Sequence, residues 1–133
     1  MNSNTHKIRV RYGETDKMGF VYYGVYAQYY EVGRVELLRS LGLSYKSLED
    51  IGYELPVIDF QIKYKKPAFY DDEITVVTLL SENPSSKLIF NYECFNANKE
   101  LLNIGSVTLI FVNSKTKKVC SPPKIFLNKL NSL

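Results

Sequence analysis

One long helical repeat followed by four consecutive strand-like runs constrains this chain more than any other feature. Between residues 24 and 40, apolar and aromatic residues recur at spacings of three and four. Tyr22, Tyr26, Tyr30, Gly33 and Leu37 fall near one face, and Ala27, Leu38 and Leu41 widen it. Leu41-Gly42 supplies a stop signal. Residues 44–51 then read as a short second helix, with Ser44 and Ser47 as candidate caps and Gly52 closing it. Strand-like runs follow at 55–64, 73–81, 87–95 and 101–112. They are separated by Lys-Lys-Pro, by Asp71-Asp72, by Asn-Pro-Ser-Ser and by Asn-Ala-Asn-Lys. One more strand precedes the helix at 7–12, with Ile8, Val10 and Tyr12 on one face and Lys7, Arg9 and Arg11 on the other. The tail from 123 to 133 is read as a terminal helix or a loose end.

Short connections between consecutive strands favour antiparallel neighbours. Runs of one element type favour an α+β architecture over an alternating parallel one. No repeat, low-complexity tract or linker divides the 133 residues, so residues 1–133 are expected to form one domain. The simplest way to bury both the sheet and the helix is an antiparallel sheet wrapped around one long central helix.

Composition removes many functions. A single histidine, His6, precludes a multi-histidine metal site and would have to serve any Ser-His-Asp or Cys-His system. Two cysteines, Cys94 and Cys120, form no framework and have no metal-ligand spacing, as expected of reduced thiols in a cytoplasmic protein. No run of some 18 apolar residues predicts a membrane span, and the N-terminus lacks the apolar stretch of a secretory signal. A net charge of +3 is weak evidence for nucleic-acid binding. Eleven tyrosines and seven phenylalanines against no tryptophan bring polar tips that need partners wherever the rings are buried.

The candidate site lies where the first strand meets the helix. Asp16 sits in a glycine-punctuated turn just before a helix N-terminus, whose unpaired N–H groups and partial positive charge favour an anion. Such a pair suits a reaction in which a carbonyl oxygen becomes an oxyanion. The competing reading is structural, because Asp-x-x-Gly is a common turn sequence in which the side chain bonds its own backbone. Glu14 is read as serving solvent or a salt bridge across the loop. Glu31 and Arg34, three apart on the helix, are read as a structural pair. Tyr23 and Tyr26 are placed near the site and Tyr30 under the sheet, with Met18 and Phe20 flanking the loop. Lys63, Lys65 and Lys66 are either a phosphate-binding cluster or a solvated strand end.

With these residues in view, the chain resembles the 4-hydroxybenzoyl-CoA thioesterase family of hot-dog-fold acyl-CoA thioesterases, including its Tol-Pal-associated branch. The resemblance is carried by Arg11-Tyr-x-Glu-Thr-Asp16-x-Met-Gly19-x-Val-Tyr-Tyr-x-x-Tyr26 and Tyr30-Glu31-x-x-Arg34. It continues in Tyr64-x-x-Pro67-x-x-x-Asp71-Asp72 and the strand at 105–112. It covers roughly residues 7 to 120. It implies a hot-dog fold in homodimers or dimer-of-dimers tetramers, with sites at the dimer interface and acyl-CoA as substrate. It implies no cofactor beyond the CoA of that substrate. Asp16 would be general base or nucleophile and the Tyr23 backbone N–H the oxyanion donor. Met18, Gly19, Phe20, Tyr26, Lys63, Lys65 and Lys66 would bind substrate. Many relatives carry histidine at the position of Tyr23 and asparagine at that of Val25; a backbone donor survives the first change, but a side-chain role does not. Hydrolysis on acyl carrier protein, or acyl-CoA binding without turnover, are the alternatives. A hot-dog dehydratase fits less well, since such sites use a histidine.

Overall fold

The structure, a computed structural model, describes residues 2–81 and 84–131. Glu82 and Asn83, the latter part of the expected 83–86 turn, lie outside it, as do the last two residues of the tail. Strand β1 (Asn2–Arg9) leads into a 3-10 turn at Tyr12–Glu14 and then into helix α1 (Val25–Ser40). Helix α2 (Tyr45–Asp50) follows, then β2 (Tyr53–Glu54), β3 (Val57–Tyr64), β4 (Glu73–Leu80), β5 (Lys87–Phe95), β6 (Leu101–Ile110) and β7 (Val112–Asn113). Helix α3 (Lys124–Leu130) comes last.

Five strands form one antiparallel sheet in the order β1-β4-β5-β6-β3, and β2 pairs with β7 in a small second ladder. The inward positions alternate as a one-sided sheet requires. Ile74, Val76, Thr78 and Leu80 of β4, and Leu88, Phe90, Tyr92 and Cys94 of β5, are all buried. Helix α1 lays Tyr26, Tyr29, Tyr30, Gly33, Leu37 and Leu38 against that face. The Tyr30 ring stacks on Tyr92 with centroids 4.1 Å apart, and its hydroxyl bonds Asn103 Oδ1 at 2.5 Å. Gly33 is the point of closest approach, where a β-carbon would lie 2.3 Å from Thr78 Oγ1. This is the expected α+β arrangement of a sheet around one long helix, the hot-dog fold.

Several boundaries differ from the sequence reading, each for a local reason. The first strand begins at Asn2, because its polar start pairs in register with β4 from Asn2↔Leu80 onward. It ends at Arg9, so Tyr12 is 78% exposed on the 3-10 turn and not on the buried face. The 55–64 run starts at Val57, since Pro56 has no N–H for a ladder. The 101–112 run divides at Phe111, whose N–H leaves the sheet for the Ser86 carbonyl at 2.9 Å. The short helix is capped by Ser44 and Ser47 as expected, each side chain bonding the other's backbone N–H at 3.0 Å. The tail is helical, pinned by buried Phe126 edge-on to Phe111. None of the described helices is long and apolar enough to cross a membrane.

Candidate functional site

Asp16 heads a tight reversal in which its own backbone pairs with Phe20, and Gly19, at φ +83°, donates back to the Asp16 carbonyl at 2.9 Å. Its Oδ1 accepts from the N–H groups of Met18 at 2.9 Å and Phe20 at 3.2 Å. The structural turn is therefore real. Among the described residues nothing bonds Oδ2, so one oxygen holds the turn and the other remains available. The carboxylate is half-buried and borders a cavity of about 310 Å³.

The loop carrying Asp16 is stitched to the segment between β3 and β4. Val21 N–H bonds the Ala68 carbonyl at 2.8 Å, and the Phe20 and Phe69 rings meet edge-on at 5.4 Å. At the loop's base, Glu14 is 9% exposed. Its carboxylate accepts from the Arg11 N–H at 2.8 Å, the Tyr29 hydroxyl at 2.9 Å and the Arg11 guanidinium. Burial pushes its pKa up, but those three donors outweigh burial and hold it below the ordinary glutamate value. Burial, and then the hydrogen bond to Glu14, keep the Tyr29 phenol protonated well past its usual range. Glu14 thus makes the expected ion pair, but it anchors the loop to α1 from inside and does not serve solvent.

Helix α1 starts at Val25, two residues after Tyr23, with Gly24 at its cap and no side chain capping it. The Val25 N–H donates to the Tyr22 carbonyl at 2.9 Å. In a planar trans peptide the N–H points opposite to the carbonyl. Holding the Tyr22 carbonyl toward the helix therefore turns the Tyr23 N–H outward, beyond the N-terminus. Among the described residues the N–H groups of Tyr23 and Gly24 have no acceptor. An uncapped helix start with free donors, next to a carboxylate with a free oxygen, can stabilise negative charge at one point while a base acts beside it.

The cavity gathers Asp16, Met18, Phe20, Tyr23, Tyr26, Lys65 and Lys66 from the expected set. It adds Val21, Tyr64 and Pro67, which sequence reasoning did not assign to the site. The signal for Tyr64 and Pro67 was the Tyr64-x-x-Pro67 spacing. Gly19 supports the turn without lining the cavity. Lys63 lies apart, bordering a depression formed with Asn91, Glu93 and Ile104: on β3 it alternates with the cavity-lining Tyr64, whereas Lys65 lies past the end of the strand, where its N–H and that of Lys66 both turn to the Leu102 carbonyl. Lys66 pairs with Glu100, while Lys65 has no ion-pair partner among the described residues. Arg34 turns inward to the Tyr45 hydroxyl at 2.6 Å, and no ion pair with Glu31 occurs among the described residues, so the expected helix pair is replaced by a buried link between α1 and α2. His6 lies within β1, opposite Val76. No group of three or more described His, Cys, Asp or Glu residues is placed to hold a metal ion.

A family profile described as the thioesterase-like superfamily matches residues 10–130. The chain is 35% identical over 126 residues to YneP of Bacillus subtilis, whose name assigns it provisionally to the acyl-CoA thioesterases; the match covers 95% of this chain and 91% of YneP. It is 31% identical over 117 residues to the acyl-CoA thioester hydrolase YbgC of Escherichia coli O6:H1, covering 88% of this chain and 87% of YbgC. Among solved structures it resembles the DHNA-CoA thioesterase of Staphylococcus aureus, with 33% identity and a TM-score of 0.93 over 99% of this chain and 91% of that one. The match takes in the Asp16 turn, the α1 start and every wall of the cavity, and the chain belongs to the thioesterase-like superfamily.

Proposed function

We propose that this protein hydrolyses acyl-CoA thioesters to the free acid and CoA. Within the superfamily we assign it to the 4-hydroxybenzoyl-CoA thioesterase-like members, on the motif that runs from Arg11 to Tyr26. The observation that carries the reading is the pairing, around one cavity, of a carboxylate oxygen free of partners with an uncapped helix start.

The thioester carbonyl sits beyond the Tyr23 N–H. Asp16 Oδ2 takes a proton from water as hydroxide adds to the carbonyl carbon, or adds to that carbon itself and gives a mixed anhydride that water then cleaves. Both routes pass through an oxyanion held by the Tyr23 N–H and the α1 dipole. The oxyanion collapses, the C–S bond breaks and CoA leaves as a thiolate. A thiol of ordinary pKa, about 8.5, needs no dedicated acid to leave. Lys65 is the better candidate for the CoA phosphates, since Lys66 is engaged by Glu100 and Lys63 faces another depression. The reading gives metal and redox cofactors no part. It places the reaction in the reducing cytoplasm, in keeping with two free cysteines.

A second copy of the chain completes the assembly. Strand β3 is a sheet edge whose eight residues are exposed at all but one position, with Val57, Ile58, Phe60 and Tyr64 on view. An apolar edge of that length needs a partner strand. Antiparallel pairing of β3 with itself gives a homodimer with one continuous sheet, which can pair again into a tetramer.

The test is thiol release from aryl, short-chain and long-chain acyl-CoAs, aryl esters first, because Phe20, Tyr23, Tyr26 and Tyr64 border the cavity. Asp16→Asn should keep the oligomer and lose at least about 100-fold in kcat. A folded variant with wild-type turnover removes Asp16 from the mechanism. Turnover of acyl carrier protein thioesters alone reassigns the substrate, and binding without turnover makes the protein a binding module.

A further inference from the structure

The Tyr64 hydroxyl donates to the Tyr23 carbonyl oxygen at 2.9 Å, across 41 residues of sequence. This is the one side-chain bond to the backbone of residues 22–24 among the described residues. Its base is rigid. Tyr64 ends β3 in register with Asn103, and the next two N–H groups, Lys65 and Lys66, both donate to the Leu102 carbonyl, at 2.8 and 3.0 Å. The ring meets Tyr26 of α1 edge-on at 5.8 Å. Burial, then the neighbouring Tyr23 phenol, raise the Tyr64 pKa above its ordinary value, so it remains a donor at neutral pH.

Two peptide planes meet at the Tyr23 α-carbon. The plane on its N-terminal side is set by the Val25 N–H on the Tyr22 carbonyl, and it carries the Tyr23 N–H. The plane on its C-terminal side carries the Tyr23 carbonyl, and the Tyr64 phenol sets that one. With both planes held, neither torsion at Tyr23 is free, and the direction of its N–H is fixed before substrate arrives. Glycine at 24 and an uncapped first turn supply no such restraint.

We propose that Tyr64 is a positioning residue for thioester hydrolysis, a strut from the sheet that holds the Tyr23 N–H in the direction the oxyanion requires. The proposal rests on the thioesterase reading above. Loss of one oxyanion donor costs about 10²–10³ in rate, and a donor left present but misdirected loses part of that.

Tyr64→Phe removes one oxygen and keeps the ring on Tyr26. The variant should melt within about 4 °C of wild type. Its kcat should fall about 10- to 100-fold with KM within about twofold, because the loss is confined to the transition state. Two unreactive analogues of the best acyl-CoA separate this role from a general loosening of the cavity. A trifluoromethyl ketone with carbon in place of the thioester sulfur forms a hydrate resembling the tetrahedral intermediate, and its affinity should fall by the same factor as kcat. The plain methylene ketone, a ground-state mimic, should bind the variant as it binds wild type. Wild-type kcat in Tyr64→Phe, or a fall in kcat with both analogues weakened alike, overturns the strut. The arms separate the two ideas. If Asp16→Asn is inactive and Tyr64→Phe is not, only the Tyr64 role is lost. If wild type releases no thiol from any ester, the thioesterase reading goes and takes the strut with it.

Discussion

Glu14 and Asp16 sit two residues apart and divide the labour of one loop. Glu14 is tied down on both oxygens and faces inward, whereas Asp16 is tied on one oxygen and faces the cavity. Sequence reasoning chose the outward acid as the candidate base, and for Glu14 it left solvent and a salt bridge open; the salt bridge to Arg11 forms, but the inward anchor on Tyr29 was not foreseen. That anchor was hidden for a plain reason: Tyr29 is fifteen residues away and on the helix. Glu14→Gln should cost about 2 kcal/mol, since it removes charge-assisted acceptance while keeping the shape. The pH dependence follows in sign. Glu14 has a folded pKa below its unfolded value, so its contribution is complete above the unfolded value near 4.5 and is lost as pH falls through the folded one. Urea melts of wild type and variant should therefore differ most near neutrality and converge in acid. A constant difference across that range would mean that the carboxylate's charge is not what anchors the loop.

Helix α1 was the most legible element, because its spacing is long and Tyr26, Tyr30, Gly33 and Leu37 mark its buried side, although Tyr22 and Ala27, read onto the same face, are exposed. Its closeness to the sheet was not legible. Gly33 reads as a weak point in a helix, since glycine there costs about 1 kcal/mol relative to alanine. The structure gives the reason, in Thr78 and Val76 lying where a β-carbon would go. Gly33→Ala should therefore destabilise by about 1–3 kcal/mol in spite of better helix propensity. Adding Thr78→Ala, which vacates the Oγ1 position, should recover part of that loss. Strict additivity in the thermal melts of the two single variants and the double would show that the contact is not the cause. The short β2 and β7 were not legible, but the five strands of the large sheet were legible along the chain. Their ends were missed at 56 and 111, where a proline and a departing N–H interrupt ladders that a hydrophobic pattern continues through.

For the whole molecule, the sheet has two edges of different character. Strand β1 is polar along most of its length, while β3 presents isoleucine, valine and aromatic side chains to the outside. If β3 pairs with a second copy as proposed, replacing Val57 and Ile58 with lysine should leave a monomer in sedimentation or light scattering where the wild type is a dimer or larger, with the secondary structure intact by circular dichroism. An oligomer that survives both charges would need another interface. Pairing of subunits was an expectation from the resemblance; which edge would serve it depends on the strand order, and that is a tertiary fact.

The cavity itself has a history built into its walls. Its two sides come from residues 16–26 and 64–67, and they are fastened by Val21 to Ala68 and by Tyr64 to Tyr23. Every such fastening closes a loop of some forty residues or more, so none can form while α1 alone is helical. The Asp16 turn can close locally, but the pocket between the two sides should be completed only when the sheet meets the helix.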